Sequence, residues 1–286
     1  MSQLKSIVFL FFLLTVIGSS CTERIEINLD ESTVKLVVEG SITTERKSHK
    51  VFLSTTSGYF FNQKPEAVPG AVLTISDGVK KYNLTETSPG VYQTASFVRG
   101  SEGLTYTLNI KLNTQVGGAT EYSASSKIFP VATPDSINLQ YHPDWSSQGM
   151  WEVRCYLQDP ISADFYRFLI SRNGALISDT LDEWVVTDDR FFNGSYVYGA
   201  TVAYLDQGTE EERLKAGDVV VVELNNLEEE YANFIWNAQS ELRGSYPLFS
   251  GPPANVKGNI NNGAIGYFSA YDVSKAYAIA TAPSND

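Results

Sequence analysis

Cysteine and histidine are nearly missing from this chain: two of each in 286 residues. With so few, no disulfide framework can form and no cysteine-histidine zinc cluster can be assembled. His49 and His142 are far apart in sequence and show no ligand spacing, so each reads as a surface or loop residue. Basic residues are also scarce. Twenty-one Lys and Arg against 33 Asp and Glu give a net charge of −12. That balance excludes nucleic acid, whose phosphates are held by clustered cations, and electrostatic adhesion to anionic lipid. Motifs of chemistry are absent too. There is no G-x-S-x-G elbow, H-E-x-x-H pair or phosphate-cradling P-loop. Among the numerous carboxylates no pair stands out as a glycosidase dyad. The chain therefore reads as a non-catalytic protein with no cofactor and no resident metal.

One long apolar run exists, and it stands at the amino terminus. Lys5 precedes Ile7 to Ile17, then Gly18, Ser19, Ser20 and Cys21. A charged start, a short apolar core and a small-residue exit make a secretory signal over 1–20, too short to span a bilayer. Ending on cysteine, it matches the bacterial lipoprotein pattern, in which Cys21 is lipidated and heads the mature chain. Gly18 is a departure from the usual residue three before the cysteine. Acyl chains would supply a membrane anchor at about 0.8 kcal/mol per buried methylene. Residues 21–33 then form a tether. Its acids Glu23, Glu26, Asp30 and Glu31 resemble the export signal that follows the lipidated cysteine in Bacteroidota surface lipoproteins; a solvated linker would look the same.

The remaining chain is rich in aromatic and β-branched residues and favours strands. From 34 to 131 short alternating runs are broken by turn residues. Leu104, Tyr106, Leu108, Ile110 and Leu112 alternate with polar residues, which requires one buried and one wet face. Asp77-Gly78 is a two-residue hairpin signal that calls for positive φ at both positions. This spacing predicts an immunoglobulin- or fibronectin-like β-sandwich, with a boundary between Pro130 and Pro134.

A second β-rich domain follows over 132–286. Trp151, Val153, Cys155 and Leu157 share one strand face, so Cys155 reads as a small buried hydrophobe. Asn173-Gly174 is another hairpin signal. One helix is expected near 227–243, capped by Asn226, with Leu227, Tyr231, Phe234, Ile235, Ala238 and Leu242 as its packed stripe. Asp188-Asp189 with Asn193-Gly194 has the residue types of a calcium loop without the EF-hand spacing, and reads first as a turn. Trp145 sits in a loop, where its indole covers the domain junction or stacks on a sugar ring or peptide side chain. Ser136 and Thr180 lie in Asp135-Ser136-Ile137 and Asp179-Thr180-Leu181. Both tripeptides resemble the O-glycosylation signal of Bacteroidota exported proteins.

Several motifs together resemble one family. They are Leu36-Val37-Val38-Glu39-Gly40, Pro69-Gly70-Ala71-Val72, Gly103-Leu104-Thr105-Tyr106-Thr107-Leu108 and Asp188-Asp189-Arg190-Phe191-Phe192-Asn193-Gly194. The most specific is Gly258-Asn259-Ile260-Asn261-Asn262-Gly263-Ala264-Ile265-Gly266-Tyr267-Phe268. The chain is similar along nearly its whole mature length to a Bacteroidota outer-membrane lipoprotein family labelled domain of unknown function 4249. The resemblance implies a protein of the cell exterior that partners a TonB-dependent outer-membrane receptor in nutrient import, with an unknown ligand and no catalytic residues. A structural module for adhesion or envelope assembly is the rival reading, and an unrecognised hydrolase a third. In the last motif, Gly263 and Gly266 read as backbone constraint around a strand start. A ligand-facing loop, with Asn261 and Asn262 as contacts, is the alternative.

Overall fold

The computed structural model describes residues 34–57, 65–243 and 256–282. Cys21, the signal segment 1–20 and the tether 21–33 lie outside the described residues. The first run of strands is β1 (Leu36–Thr43), β2 (Lys50–Thr55), β3 (Val72–Ser76) and β4 (Lys81–Asn83). It continues with β5 (Thr85–Ser88), β6 (Val91–Gln93), β7 (Thr105–Val116) and β8 (Ala119–Lys127). The second run is β9 (Pro134–His142), β10 (Met150–Gln158), β11 (Phe165–Arg172), β12 (Ala175–Leu176) and β13 (Val185–Asp188). Then come β14 (Tyr196–Asp206), β15 (Val219–Leu227), helix α1 (Glu229–Arg243) and β16 (Ile265–Ile279). The protein is mainly β.

Two apolar cores form, one on each side of Pro130. In the first, a sheet ordered β16-β1-β2-β6-β5 faces a second sheet ordered β4-β3-β7-β8. β7 shows why: Tyr106, Leu108, Ile110 and Leu112 are buried while the residues between them are half-buried or exposed. A one-residue slip would turn all four to water, at about 1.5–3 kcal/mol for each large side chain. Leu104, expected to join this row, precedes β7 and is exposed. In the second core, β14-β10-β9 packs against β12-β11-β15-β16. Trp151, Val153, Cys155 and Leu157 all point inward, as their alternation requires.

β16 joins the two cores. Its first half pairs in parallel with β1, from Val37 opposite Ile265 to Thr43 opposite Tyr271. Its second half pairs antiparallel with β15, from Asn226 opposite Asp272 to Val219 opposite Ile279. The two halves of the chain therefore share one continuous nine-stranded sheet. Residues 260–270, which the linear reading grouped with the second half, complete the first core through Ile260, Phe268 and Ala270. Fifteen residues of strand span about 50 Å. β1 begins at one pole of that length. At the waist, Asn226 Nδ2 donates to Pro130 O at 2.7 Å. β9 starts there and runs away from the first core, so His142 and the loop after it stand at the opposite pole.

Two turns separate cleanly. Asn173 and Gly174 have φ of 51° and 83°, as a two-residue hairpin between β11 and β12 demands. At Asp77-Gly78 only Gly78 has positive φ. The loop there runs four residues, because the Asp77 carboxylate accepts from Val79 N (2.9 Å) and Lys80 N (2.6 Å) and holds a wider turn.

The helix differs from expectation at its start and on its face. Asn226 is not a cap: it is a buried β15 residue whose amide bridges Pro130 and Asp164. The Glu228 carbonyl instead accepts from Tyr231 N and Ala232 N. The inward residues are Ala232, Ile235 and Gln239, while Leu242 is exposed. Gln239 belongs inside because its amide donates to the carbonyls of Leu181 and Trp184, at 2.9 and 2.8 Å. Apolar counting cannot register a polar residue buried by satisfied hydrogen bonds. Under the helix, the buried Arg167 guanidinium lies over the Trp184 and Tyr271 rings at 4.5 and 4.7 Å. It donates twice to Asn225 Oδ1.

Candidate functional site

The far pole of the second core gathers three features. The first is an aromatic platform. Trp145, in the loop between β9 and β10, stacks on His142 with centroids 3.6 Å apart and planes within 4°. Tyr204 of β14 meets the same indole edge-on at 5.7 Å. Both Trp145 and Tyr204 remain about half exposed. The indole covers no junction between the two cores; it stands at the end farthest from one.

Behind the platform, His142 Nε2 lies 3.1 Å from Glu152 Oε2 on β10, and Thr201 of β14 donates to the other Glu152 oxygen. Those two partners, Thr201 first, hold the Glu152 carboxyl below the usual carboxylate range. Cross-strand register puts Glu152 opposite Tyr204, so the braced row belongs to one sheet face.

The third feature is a cleft of about 320 Å³ between the two sheets of the second core. One wall is Phe168, Ile170 and Ile177; the other is the unbroken run from Thr201 to Leu205. Glu183 and Glu212 also line it, and no lysine or arginine does. Thr201 and Tyr204 belong to both cleft and platform. This volume falls at the small end of ligand pockets, with the usual apolar lining and few polar groups.

Three carboxylates converge elsewhere, at the waist. Asp159, Asp164 and Asp189 are buried and bring one oxygen each within 4.8 Å of the others. By sequence Asp188 and Asp189 read first as turn residues, with a calcium loop shared with Asn193-Gly194 as the alternative, and Asp159 and Asp164 carry no signal. Asp188 does stay at the surface, ion-paired with Arg190 at 2.5 Å. Asp189 turns inward and accepts from Asp164 N at 3.1 Å. Asp159 accepts from Tyr166 Oη (2.7 Å) and Gly194 N (2.9 Å), and Asp164 from Asn226 Nδ2 (2.6 Å). Burial raises the Asp189 carboxyl above its ordinary value. Such a set has the donor chemistry of a hard cation, and its protein donors also make it a closed structural knot between two loops. The spacing 159, 164, 189 follows no linear motif, which is why sequence reading missed it.

The remaining singled-out residues scatter. Ser136 and Thr180 are both exposed, on β9 and before the 3-10 turn Leu181–Glu183. Asn261 and Asn262 line an open surface groove of about 440 Å³ together with Thr74, Lys111 and Glu121, and both are engaged on the edge of β8. Ser123 N donates to Asn261 Oδ1 (2.7 Å), and Asn261 N donates back to Ser123 O (3.0 Å). Asn262 Nδ2 donates to Glu121 O at 2.7 Å. Asn259 Nδ2 donates to Ser125 O at 3.2 Å and to Phe268 O at 2.7 Å. The asparagine-glycine motif thus covers an edge strand. His49 is buried rather than superficial, its ring against Val98 O at 3.2 Å, and burial lowers its basicity. Cys155 is fully buried and its thiol is pushed up to about 12 by desolvation.

A family model described as domain of unknown function (DUF4249) matches residues 22–276. The chain belongs to this family. No curated protein matches it. The match spans residues of both cores and the joining strand β16 up to its last three residues.

Proposed function

We propose that this family member is a lipid-anchored binding protein of the outer membrane, facing the exterior. It acts without catalysis as an accessory of a TonB-dependent nutrient importer. The observation that carries the reading is the polarity of the fold. The chain emerges from its amino-terminal segment at one pole of β1, and β16 runs from that pole into the second core. The platform and cleft are at the other end. An anchor at Cys21 would therefore hold the first core as a spacer, roughly 25 Å of shared strand, and present the second toward a partner. Acyl chains would supply the attachment that a net charge of −12 cannot.

The test has two arms. Cys21→Ala should release the protein from the membrane fraction, and mass spectrometry of the native protein should find acylation at Cys21. Detergent extraction and isolation through a carboxy-terminal tag should recover a TonB-dependent receptor at fixed stoichiometry. Recovery of the acylated protein alone would favour the adhesion or envelope-assembly reading, in which the continuous sheet is only a spacer. An unmodified Cys21 would remove the anchor and the importer role with it.

A further inference from the structure

Four Trp and Tyr side chains are exposed among the described residues: Trp145, Tyr198, Tyr204 and Tyr277. The first three stand on one surface, the outer face of the sheet β14-β10-β9. The inward residues of β10 are Trp151, Val153, Cys155 and Leu157, so Glu152, Arg154 and Tyr156 point the other way. Register extends that face across the sheet. Gln140 and Tyr204 flank Glu152, Asn138 and Thr201 flank Arg154, and Ser136 and Tyr198 flank Tyr156.

The aromatics fall at its two ends. The platform of Trp145, His142 and Tyr204 lies beside Glu152. At the other end Tyr156 lies across Gly199, where an added Cβ would meet three of the tyrosine's atoms inside 3.0 Å. Tyr196 and Tyr198 meet edge-on there with centroids 4.6 Å apart, and Tyr198 is 79% exposed. Glu152 and Tyr156 are separated by about 13 Å of strand. Between the ends run polar groups with unused capacity. The Asn138 and Gln140 amides are exposed and have no hydrogen-bond partner among the described residues. Arg154 donates through Nε to Gly199 O at 3.0 Å, which leaves its two terminal nitrogens for a ligand. Glu152 has both oxygens engaged, by His142 and Thr201.

We infer that this face binds a neutral oligosaccharide of pyranose rings, long enough to touch both aromatic ends. A pyranose carries an apolar C–H face, which stacks on an exposed aromatic ring. Its rim of hydroxyls both donates and accepts, as side-chain amides and a guanidinium require of a partner. Charge selects the neutral sugar. A chain at −12 repels a polyanion, and the engaged Glu152 offers no oxygen to a cationic ligand. The inference rests on the reading of the second core as the ligand-binding end and names the ligand class. Neither acylation of Cys21 nor a receptor enters its test, so either reading can fail without the other.

The test is isothermal titration calorimetry of the purified full chain with cellohexaose, maltohexaose, mannohexaose and xylohexaose, alongside the matching disaccharides. The expected result is saturable binding of at least one hexasaccharide, about tenfold or more tighter than its disaccharide. That binding should not change between about 50 and about 500 mM salt. Tyr198→Ala should weaken the hexasaccharide about tenfold and leave the disaccharide unchanged. Trp145→Ala should weaken both. Because Trp145 also stacks on His142, its removal could perturb the loop; Tyr198→Ala, at an exposed position and with an unchanged melting temperature, then decides the case. Failure of all four hexasaccharides to bind would overturn the site. An equal loss of hexasaccharide and disaccharide binding in Tyr198→Ala, or no loss of either, would overturn the two-ended geometry. Tighter binding of polygalacturonate than of every neutral sugar would overturn the charge argument.

Discussion

Replacing Gly266 by alanine tests the joint between β1 and β16 where it is tightest. Gly266 has φ of 97° and sits opposite Val38. A Cβ added there would fall inside 3.0 Å of both the carbonyl oxygen and the carbonyl carbon of Val38. Gly258 lies on the other side, where its own added Cβ would meet the Gly266 backbone equally closely. Gly263, three residues away, provides the control. Its φ is 76°, but no atom lies within 4 Å of an added Cβ. Gly263→Ala therefore carries only the left-handed backbone cost, about 1–2 kcal/mol. Gly266→Ala carries that cost and must also push β1 off β16, which opens the first core between Val38 and Phe268. Together these amount to about 4 kcal/mol. For a chain of this size each kcal/mol lowers the melting temperature by roughly 2–4 °C. The expected shifts are about 2–8 °C for Gly263→Ala and about 8–16 °C for Gly266→Ala. Thermal unfolding followed by far-ultraviolet circular dichroism reads both. Equal shifts in the two variants would refute the close-approach argument and leave backbone conformation as the only role of these glycines.

Asn261→Ala should strip the β8 edge of its acceptor for Ser123 N, cost about 1 kcal/mol, and speed hydrogen exchange at Ser123. Cys155 should resist maleimide in the folded protein from pH 6 to 9 and react only after denaturation, since burial keeps its thiol protonated. Burial raises Asp189, so the folded state favours its protonated form. The stability this contributes is complete below the ordinary aspartate range and is lost as pH rises through the folded value. Asp189→Asn should therefore melt above the parent at neutral pH, with the difference closing below about pH 4; a constant offset at every pH would contradict the assignment. Arg167→Lys should destabilise the helix region, because a lysine loses the planar stack on Trp184 and Tyr271 and the paired donors to Asn225. Increased solvent exposure of Trp184 by fluorescence quenching would accompany it.

Local alternation made the sandwich strands legible. In β7 and β10 every second residue is apolar, and only an extended chain with one buried face satisfies that pattern. The Asn173-Gly174 hairpin was equally plain, since few residue pairs accept two positive φ angles. Asp77-Gly78 looked the same and was not, because the aspartate carboxylate bonds the backbone and enlarges the turn. Asn226 could be read as a helix cap only because asparagine serves both exposed caps and buried bridges, and the carbonyl of Pro130 that selects the second role is 96 residues away.

What the sequence determined by itself was therefore local: the strand-rich class, the buried Cys155, the positive-φ glycines and a family signature along the mature chain. Tertiary structure alone decided that β16 serves two cores, that Asp159, Asp164 and Asp189 meet, and that the asparagine motif covers β8. Alternation specifies which way a side chain points but not which strand lies beside it. Pairing partners more than two hundred residues apart are chosen by the fit of whole sheets, and no window of sequence contains both.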